Sequence, residues 1–139
     1  MLRQALHEIR IPTRGRGLYE FTGKVADWVS QNGFTSGLVT LHLRHTSASL
    51  VIQENADPDV QKDLRDFFAH IATSGMNYRH TAEGPDDTPS HIRAALTHTS
   101  IGIPLQHGKL ALGTRQGIYL FEHRDAPYRR EVLLHLIGD

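Results

Sequence analysis

The stretch Tyr78 to Ile92, YRHTAEGPDDTPSHI, brings two imidazoles, His80 and His91, close in sequence to three carboxylates, Glu83, Asp86 and Asp87. Imidazole and carboxylate are the ligand types that hold borderline or hard divalent ions such as Zn²⁺ or Mg²⁺. His80 lies on a loop and His91 in the first turn of the helix that follows, so convergence requires the chain to fold back, which Gly84 and Pro85 permit. The same residues also suit a capped, solvated loop, with Asp87 or Ser90 capping the helix and His91 hydrogen-bonded in its first turn. Spacing alone leaves both readings open.

Three further strings carry chemistry. In RHTSAS, His45 ends a strand, and Thr46 and Ser47 offer hydroxyls and backbone N–H groups that can hold a phosphate or position a water. The alternative is a core histidine satisfied at a strand end. Asn55, after Glu54, either orients a substrate or makes an Asx-turn. In GTRQGIYLFEHR, Gln116 precedes a strand and Glu122, His123 and Arg124 follow it, with Glu122 and Arg124 on one face and His123 on the other. A carboxylate beside a cation serves acid–base work or grips a phosphate, or else forms a surface ion pair of little energetic consequence. Arg129-Arg130 is a local basic spot. There is no P-loop, no GxGxxG after a strand, no HExxH and no GxSxG, which removes the common nucleotide-binding, metalloprotease and serine-hydrolase readings.

The elements that must position these residues follow from period and punctuation. Leu2 to Ile11 reads as an opening strand stopped by Pro12 and the Gly15, Gly17 pair. Phe21, Val25, Trp28 and Val29 define a helix over 23–32, with Thr22 as N-cap and Gly33 at its end. Gly37 to His45 alternates as a half-buried strand, and Ser49 to Glu54 resumes after the small-residue corner 46–48, as a hairpin or one bent strand. Asp57-Pro58 opens a second helix to about Ala72, with Val60, Leu64, Phe67, Phe68 and Ile71 as its buried stripe. A long ordered loop over 73–89 leads to a helix from Pro89 to Thr97, with Ile92, Ala95 and Leu96 inward. Strands over 101–105, 109–112, 117–122 and 131–137 complete the chain, and His123 to Tyr128 is linker-like.

This is α+β, with mostly antiparallel sheet and about three helices, at 139 residues the size of one domain. Fifteen basic and fifteen acidic side chains cancel, so no global field draws the chain to nucleic acid or an anionic membrane. Cysteine is absent, which excludes thiolate chemistry and suits a reducing compartment, the cytoplasm being the expected location. The charged start MLRQALHEIRIP has neither the apolar run of a secretory signal nor that of a membrane span. Ten histidines are the one unusual count, and they direct attention to the strings above.

Taken in order, HTSAS, ENADP, YRH, EGPDDTPSHI, GTRQGIYL, EHR and RR resemble the YjbQ family, also called the secondary thiamine-phosphate synthase family, as one domain over 1–139. The resemblance implies a compact homotrimer with sites near subunit boundaries. It also implies a thiamine-phosphate synthase activity, in which a pyrimidine methyl pyrophosphate alkylates the ring nitrogen of a thiazole phosphate and expels pyrophosphate. Motif positions carry over His45, Thr46, Ser47, Glu54, Asn55, His80, Asp87, His91, Gln116, Glu122 and Arg130 as site residues. On this reading His80, Asp87 and His91 hold a divalent ion, and His45, Asn55, His91 and Glu122 take part in catalysis. Thr46, Ser47, Glu54, Arg115, Gln116 and Arg130 would bind the small phosphorylated substrate. Where the family commonly has Trp, this chain has Arg115, losing an aromatic platform and gaining a cation. The same groups would also serve a metal-assisted hydrolase of a small phosphorylated or cyclic substrate, or a non-catalytic ligand- or metal-binding trimer.

Overall fold

The computed structural model describes residues 1–139. In chain order the elements are β1 (Arg3–Pro12), β2 (Gly17–Glu20), α1 (Thr22–Asn32), β3 (Gly37–Leu43), β4 (Ala48–Glu54), α2 (Pro58–Ile71), α3 (Asp87–Ala95), β5 (Ser100–Gln106), β6 (Lys109–Leu110), β7 (Gln116–Glu122) and β8 (Arg129–Gly138). The strands form two sheets, one ordered β1-β8-β3-β5-β6 and the other β2-β7-β4. Every named pairing is antiparallel. The α+β expectation holds, with three helices.

Strict alternation gives β8 its place. Val132, Leu134 and Leu136 are buried, whereas Glu131, Leu133, His135 and Ile137 point to the other face and remain half-exposed. The buried row meets Leu41 and Leu43 of β3, together with Leu50, Ile118 and Leu120 of the smaller sheet, so the core lies between the sheets. Val25, Trp28 and Val29 of α1 complete it. Each such fully buried side chain contributes about 1.5–3 kcal/mol. The ends of β3 and β8 come together at Gly37 and Gly138, where a Cβ on Gly138 would stand 2.0 Å from the Ser36 carbonyl oxygen.

The chain departs from expectation where packing overrides local pattern. β3 and β4 form neither a hairpin nor one strand, because the 44–47 corner carries the chain from one sheet to the other. Thr22 does not cap α1: its hydroxyl donates to Glu20 and accepts the Ile118 N–H. Gly33 does end that helix in the left-handed conformation, at φ 66°. Asp57 caps α2 through the Asp59 N–H with Pro58 at N1, yet no residue of α2 is fully buried and Phe67 is 59% exposed. The helix lies on the surface of the small sheet, so its apolar stripe is only half covered. α3 starts two residues earlier than the sequence suggests, and it buries Asp87, Pro89, Ser90, Arg93 and Ala94 rather than Ala95 and Leu96. β2 escapes the pattern reading because it is four residues long and begins at the second of two closely spaced glycines.

Candidate metal centre and the adjoining basic depression

The burial of Asp87 organises the site. It stands in the first turn of α3, 1% exposed, and its two oxygens have separate duties. Oδ1 accepts from Arg124 Nη1 at 2.5 Å, and Oδ2 faces Nε2 of His80 at 2.7 Å and Nε2 of His91 at 3.0 Å. His91 reaches that oxygen because it lies one helical turn beyond Asp87, at i+4. Glu83 Oε2 lies 3.2 Å from His80 Nε2. The donor atoms of His80, Glu83, Asp87 and His91 all lie within 4.8 Å of one another. The loop therefore folds back as Gly84 allows, at φ 102°, and Thr88 fixes it by donating to the His80 carbonyl at 2.7 Å.

The electrostatics hold this carboxylate ionised. Burial pushes the Asp87 pKa upward, but the hydrogen bond from His80 and the charges of His91 and Arg124 more than offset it, and the net shift is downward. His80 is shifted upward by its hydrogen bonds to Asp87 and then Glu83. Asp86 is also held low: against the effect of burial stand the Asp125 N–H at 2.9 Å and Arg124 Nε at 3.1 Å.

The tautomer of His91 decides what this arrangement can do. Its Nδ1 lies 2.8 Å from the Thr46 carbonyl oxygen, an acceptor, so Nδ1 carries a proton. In the neutral ring Nε2 is then a lone pair aimed at a carboxylate oxygen. Two acceptors at that separation require a cation between them, either a proton on the ring or a metal ion. Nδ1–H tied to a backbone carbonyl with Nε2 free is the disposition of metal-binding histidines. The residues therefore fit a divalent ion, and its binding would compete with protonation.

Thr46 links this cluster to a second feature. An open depression of about 500 Å³ is walled by Arg44, His45, Thr46, Ser47, Thr99 and Arg130, among others. Arg130 is 3% exposed and is fixed by Glu122, which accepts from its Nε at 2.7 Å and its Nη2 at 2.5 Å. Glu122 also accepts from the Thr13 hydroxyl and from the N–H groups of His123 and Arg124. His45 Nε2 accepts the Glu131 N–H at 2.9 Å, so its remaining nitrogen carries the proton when the ring is neutral. Burial, followed by the charge of Arg130, pushes the His45 pKa down and keeps the ring neutral.

The sequence pairing of Glu122 with Arg124 is thus corrected. Glu122 is wholly buried against Arg130, and Arg124 turns to Asp86 and Asp87. The linker-like stretch after β7 is built into the site, since it supplies Arg124. Arg124 and Glu83 are the groups that motif matching passed over for direct roles. Their spacing from Asp87 in sequence gave no signal for Arg124, whereas Glu83 already stood in the dense string. Glu54, Asn55, Arg115 and Gln116 lie elsewhere. Glu54 pairs with Gln116 at the opposite end of β7 from Glu122, about 20 Å away for a strand of this length. There Arg115 Nε binds Glu54 Oε2 at 2.9 Å, and Asn55 Nδ2 reaches the Gln116 carbonyl at 3.4 Å. One chain alone does not bring these four to the histidine cluster.

Known proteins share this sequence pattern and this fold. The family model described as UPF0047 protein YjbQ-like matches residues 7–139. A UPF0047 protein of Synechocystis sp. is 51% identical over 99% of this chain and 94% of its own length. UPF0047 protein YjbQ of Escherichia coli O157:H7 is 36% identical over 94% of this chain and 96% of its own. Among solved structures, a yjbq/upf0047 family protein from Clostridium acetobutylicum superposes with TM-score 0.87 at 33% identity, covering 94% of this chain and 98% of that one. A YbjQ-like protein of unknown function from Sulfolobus solfataricus gives TM-score 0.91 over all of both chains at 19% identity, a likeness of fold.

Proposed function

The chain belongs to the YjbQ family, and on that footing we propose that it is a divalent-metal-assisted enzyme acting on small phosphorylated substrates, forming thiamine phosphate. The observation that carries this reading is the pair of imidazole Nε2 atoms facing Asp87 Oδ2, with His91 fixed by the Thr46 carbonyl beside a basic depression. His80, Glu83, Asp87 and His91 would hold the ion, and two imidazoles favour Zn²⁺ over Mg²⁺. A divalent ion bound there supplies neutralisation of the negative charge that grows on a departing pyrophosphate. Arg130, immobilised by Glu122, and neutral His45, whose Nδ1 lies 3.4 Å from Arg130 Nη1, would form one donor-rich wall of the depression for the phosphate groups. In the reaction the carbon–oxygen bond at the pyrimidine methylene breaks, pyrophosphate leaves with the electron pair, and the thiazole nitrogen lone pair forms the new carbon–nitrogen bond.

The homotrimer belongs to the same proposal. The outer face of the larger sheet carries Leu6, 63% exposed, and Leu38, 44% exposed, beside half-exposed Leu133 and Ile137, an apolar surface suited to a second copy. Sites at subunit boundaries would give Glu54, Asn55, Arg115 and Gln116 a route to the reacting groups. No helix is long and apolar enough to cross a membrane. A cytoplasmic location accords with the lack of cysteine.

Metal analysis of protein purified without chelator tests the reading. The wild type is expected to retain one divalent ion per chain, and His80→Ala and His91→Ala to lose it while keeping their circular dichroism. Unchanged metal content in both variants would sink the assignment. Product analysis with the pyrimidine pyrophosphate and the thiazole phosphate then separates condensation from simple hydrolysis, the outcome that would place the protein among hydrolases.

A further inference from the structure

A second cavity, of about 260 Å³, opens between α2 and the end of β7 and shares no lining residue with the histidine cluster or the His45 depression. Arg16, Arg65 and Arg93 contribute its cations, Phe68 and Phe121 an apolar wall, and His123 a buried imidazole. Arg93 is 4% exposed, and its guanidinium donates to the carbonyls of Phe68, Ala72 and His123 at 3.0, 2.6 and 3.3 Å. No carboxylate lies within ion-pair distance of it, unlike the buried Arg130. Buried charges are ordinarily matched by a counter-charge, and here the chain supplies only carbonyl dipoles.

The other lining charges do not change that. Arg16 is matched by Asp125 at 3.0 Å, Arg65 offsets its neighbour Asp66, and Glu122 is committed to Arg130, which leaves one net positive charge. His123 adds an open polar atom. It is 1% exposed, and Nε2 is engaged by Ser49 Oγ at 2.9 Å, while Nδ1 has no hydrogen-bond partner in the chain. No fully buried side-chain nitrogen or oxygen lacks a partner, so Nδ1 keeps some accessible surface, and His123 lines the cavity. Ser49 in turn contacts the Thr97 hydroxyl at 2.6 Å. The Thr97 hydroxyl also reaches the Arg93 and Ala94 carbonyls at 3.0 and 3.3 Å, and when it donates to Ser49 instead, with Ser49 donating to Nε2, Nδ1 carries the proton and becomes a donor. An oxyanion in the cavity selects that arrangement.

We propose that this cavity is an anion site for a phosphate group, held by Arg16 and Arg65 at the rim, the uncompensated charge of Arg93 and the Nδ1–H of His123. Planar guanidinium groups match phosphate oxygens in pairs, and Phe68 and Phe121, in edge contact at 5.2 Å, offer a surface for the organic part of a monoester. The site stands apart from the metal centre, so either can fail without the other.

Calorimetric titration of the full chain with inorganic phosphate and with phenyl phosphate tests it, alongside ¹⁵N NMR of the His123 ring. Saturable binding at this cavity is expected, read by His123 Nδ1 moving to the protonated-nitrogen shift, whatever heat an anion at the His45 depression adds to the titration. Binding read at His123 should weaken about tenfold or more in the Arg16→Gln/Arg65→Gln variant and keep its affinity in His45→Ala and His91→Ala, which remove only the signal of the other site. Tighter binding of phenyl phosphate identifies a monoester, and equal affinities identify free phosphate. No saturable binding at millimolar anion, an unmoved His123 resonance, or loss in His45→Ala or His91→Ala with the arginine variant unaffected overturns the proposal.

Discussion

Acid should unfold this protein partly through His123. Burial, followed by the charges of Arg93 and Arg130, lowers its pKa from 6.5 to about 3. The unfolded chain therefore takes up the proton first as the pH falls. The stability contributed by the neutral ring is full above about pH 6.5 and drains away from there down to about pH 3. The loss at any pH is 2.303RT times the logarithm of the ratio of the two proton-binding factors. At pH 4.5 that is log(101/1.03), which amounts to roughly 3 kcal/mol. Any folded-state value below about 4 gives nearly the same loss at that pH. Urea unfolding of wild type and His123→Gln, at one protein concentration and several pH values between 7.5 and 4.5, isolates the effect. Glutamine cannot titrate but keeps a polar group near Ser49. Other titrations, including that of His80, cancel in the difference. The wild type should lose about 3 kcal/mol more than the variant across this range. Parallel pH profiles would refute the assignment of a buried neutral ring, as would a His123 ring titrating near pH 6.5 by NMR.

Three other outcomes follow from the geometry. Arg130→Met strands the wholly buried Glu122 carboxylate and should cost roughly 3–5 kcal/mol in denaturant unfolding, with Arg130→Met/Glu122→Gln recovering part of it. Gly138→Ala forces a Cβ to within 2.0 Å of the Ser36 carbonyl oxygen and 2.6 Å of Gly37 Cα, so β3 and β8 must separate at that end, with an expected loss of about 1–3 kcal/mol seen as a lowered melting temperature. As the pH is lowered, Zn²⁺ affinity should fall about tenfold per pH unit for each displaced proton, and the fall should set in at a pH above that of an ordinary histidine, because His80 is shifted upward by its hydrogen bonds to Asp87 and Glu83. Competition titration with a chromophoric chelator reads this directly, and a pH-independent affinity would remove His80 from the ligand set.

Most strands were legible because they alternate in a pattern that one-sided burial demands, as in Gly37 to Leu43 and Glu131 to Ile137. Asp57-Pro58 marked the start of α2 for the same local reason. The inward face of α3 was misread because most of its buried members are polar: Asp87, Ser90 and Arg93 face inward to make hydrogen bonds that only the assembled fold supplies. The histidine cluster could be read as a dense string, but the contact that orients His91, the Thr46 carbonyl, lies 45 positions away and left no trace in the spacing. The partner of Glu122 was hidden likewise, since Arg130 comes from the next strand whereas the nearer Arg124 turns to α3.

The place of β8 bears on how the protein is made. It is the last of the eight strands to leave the ribosome, yet it pairs with both β1 and β3. Until it emerges, those two strands have bare backbone edges where it will lie, and the Arg130 anchor of the basic depression does not exist. Neither can be completed by local structure, because Arg3 of the first strand pairs with Gly138. Closure of the larger sheet is therefore a late, long-range event of the kind that folds slowly. The nascent chain spends its synthesis with two strands awaiting a common partner, a state in which chaperone capture or edge-to-edge association competes with folding.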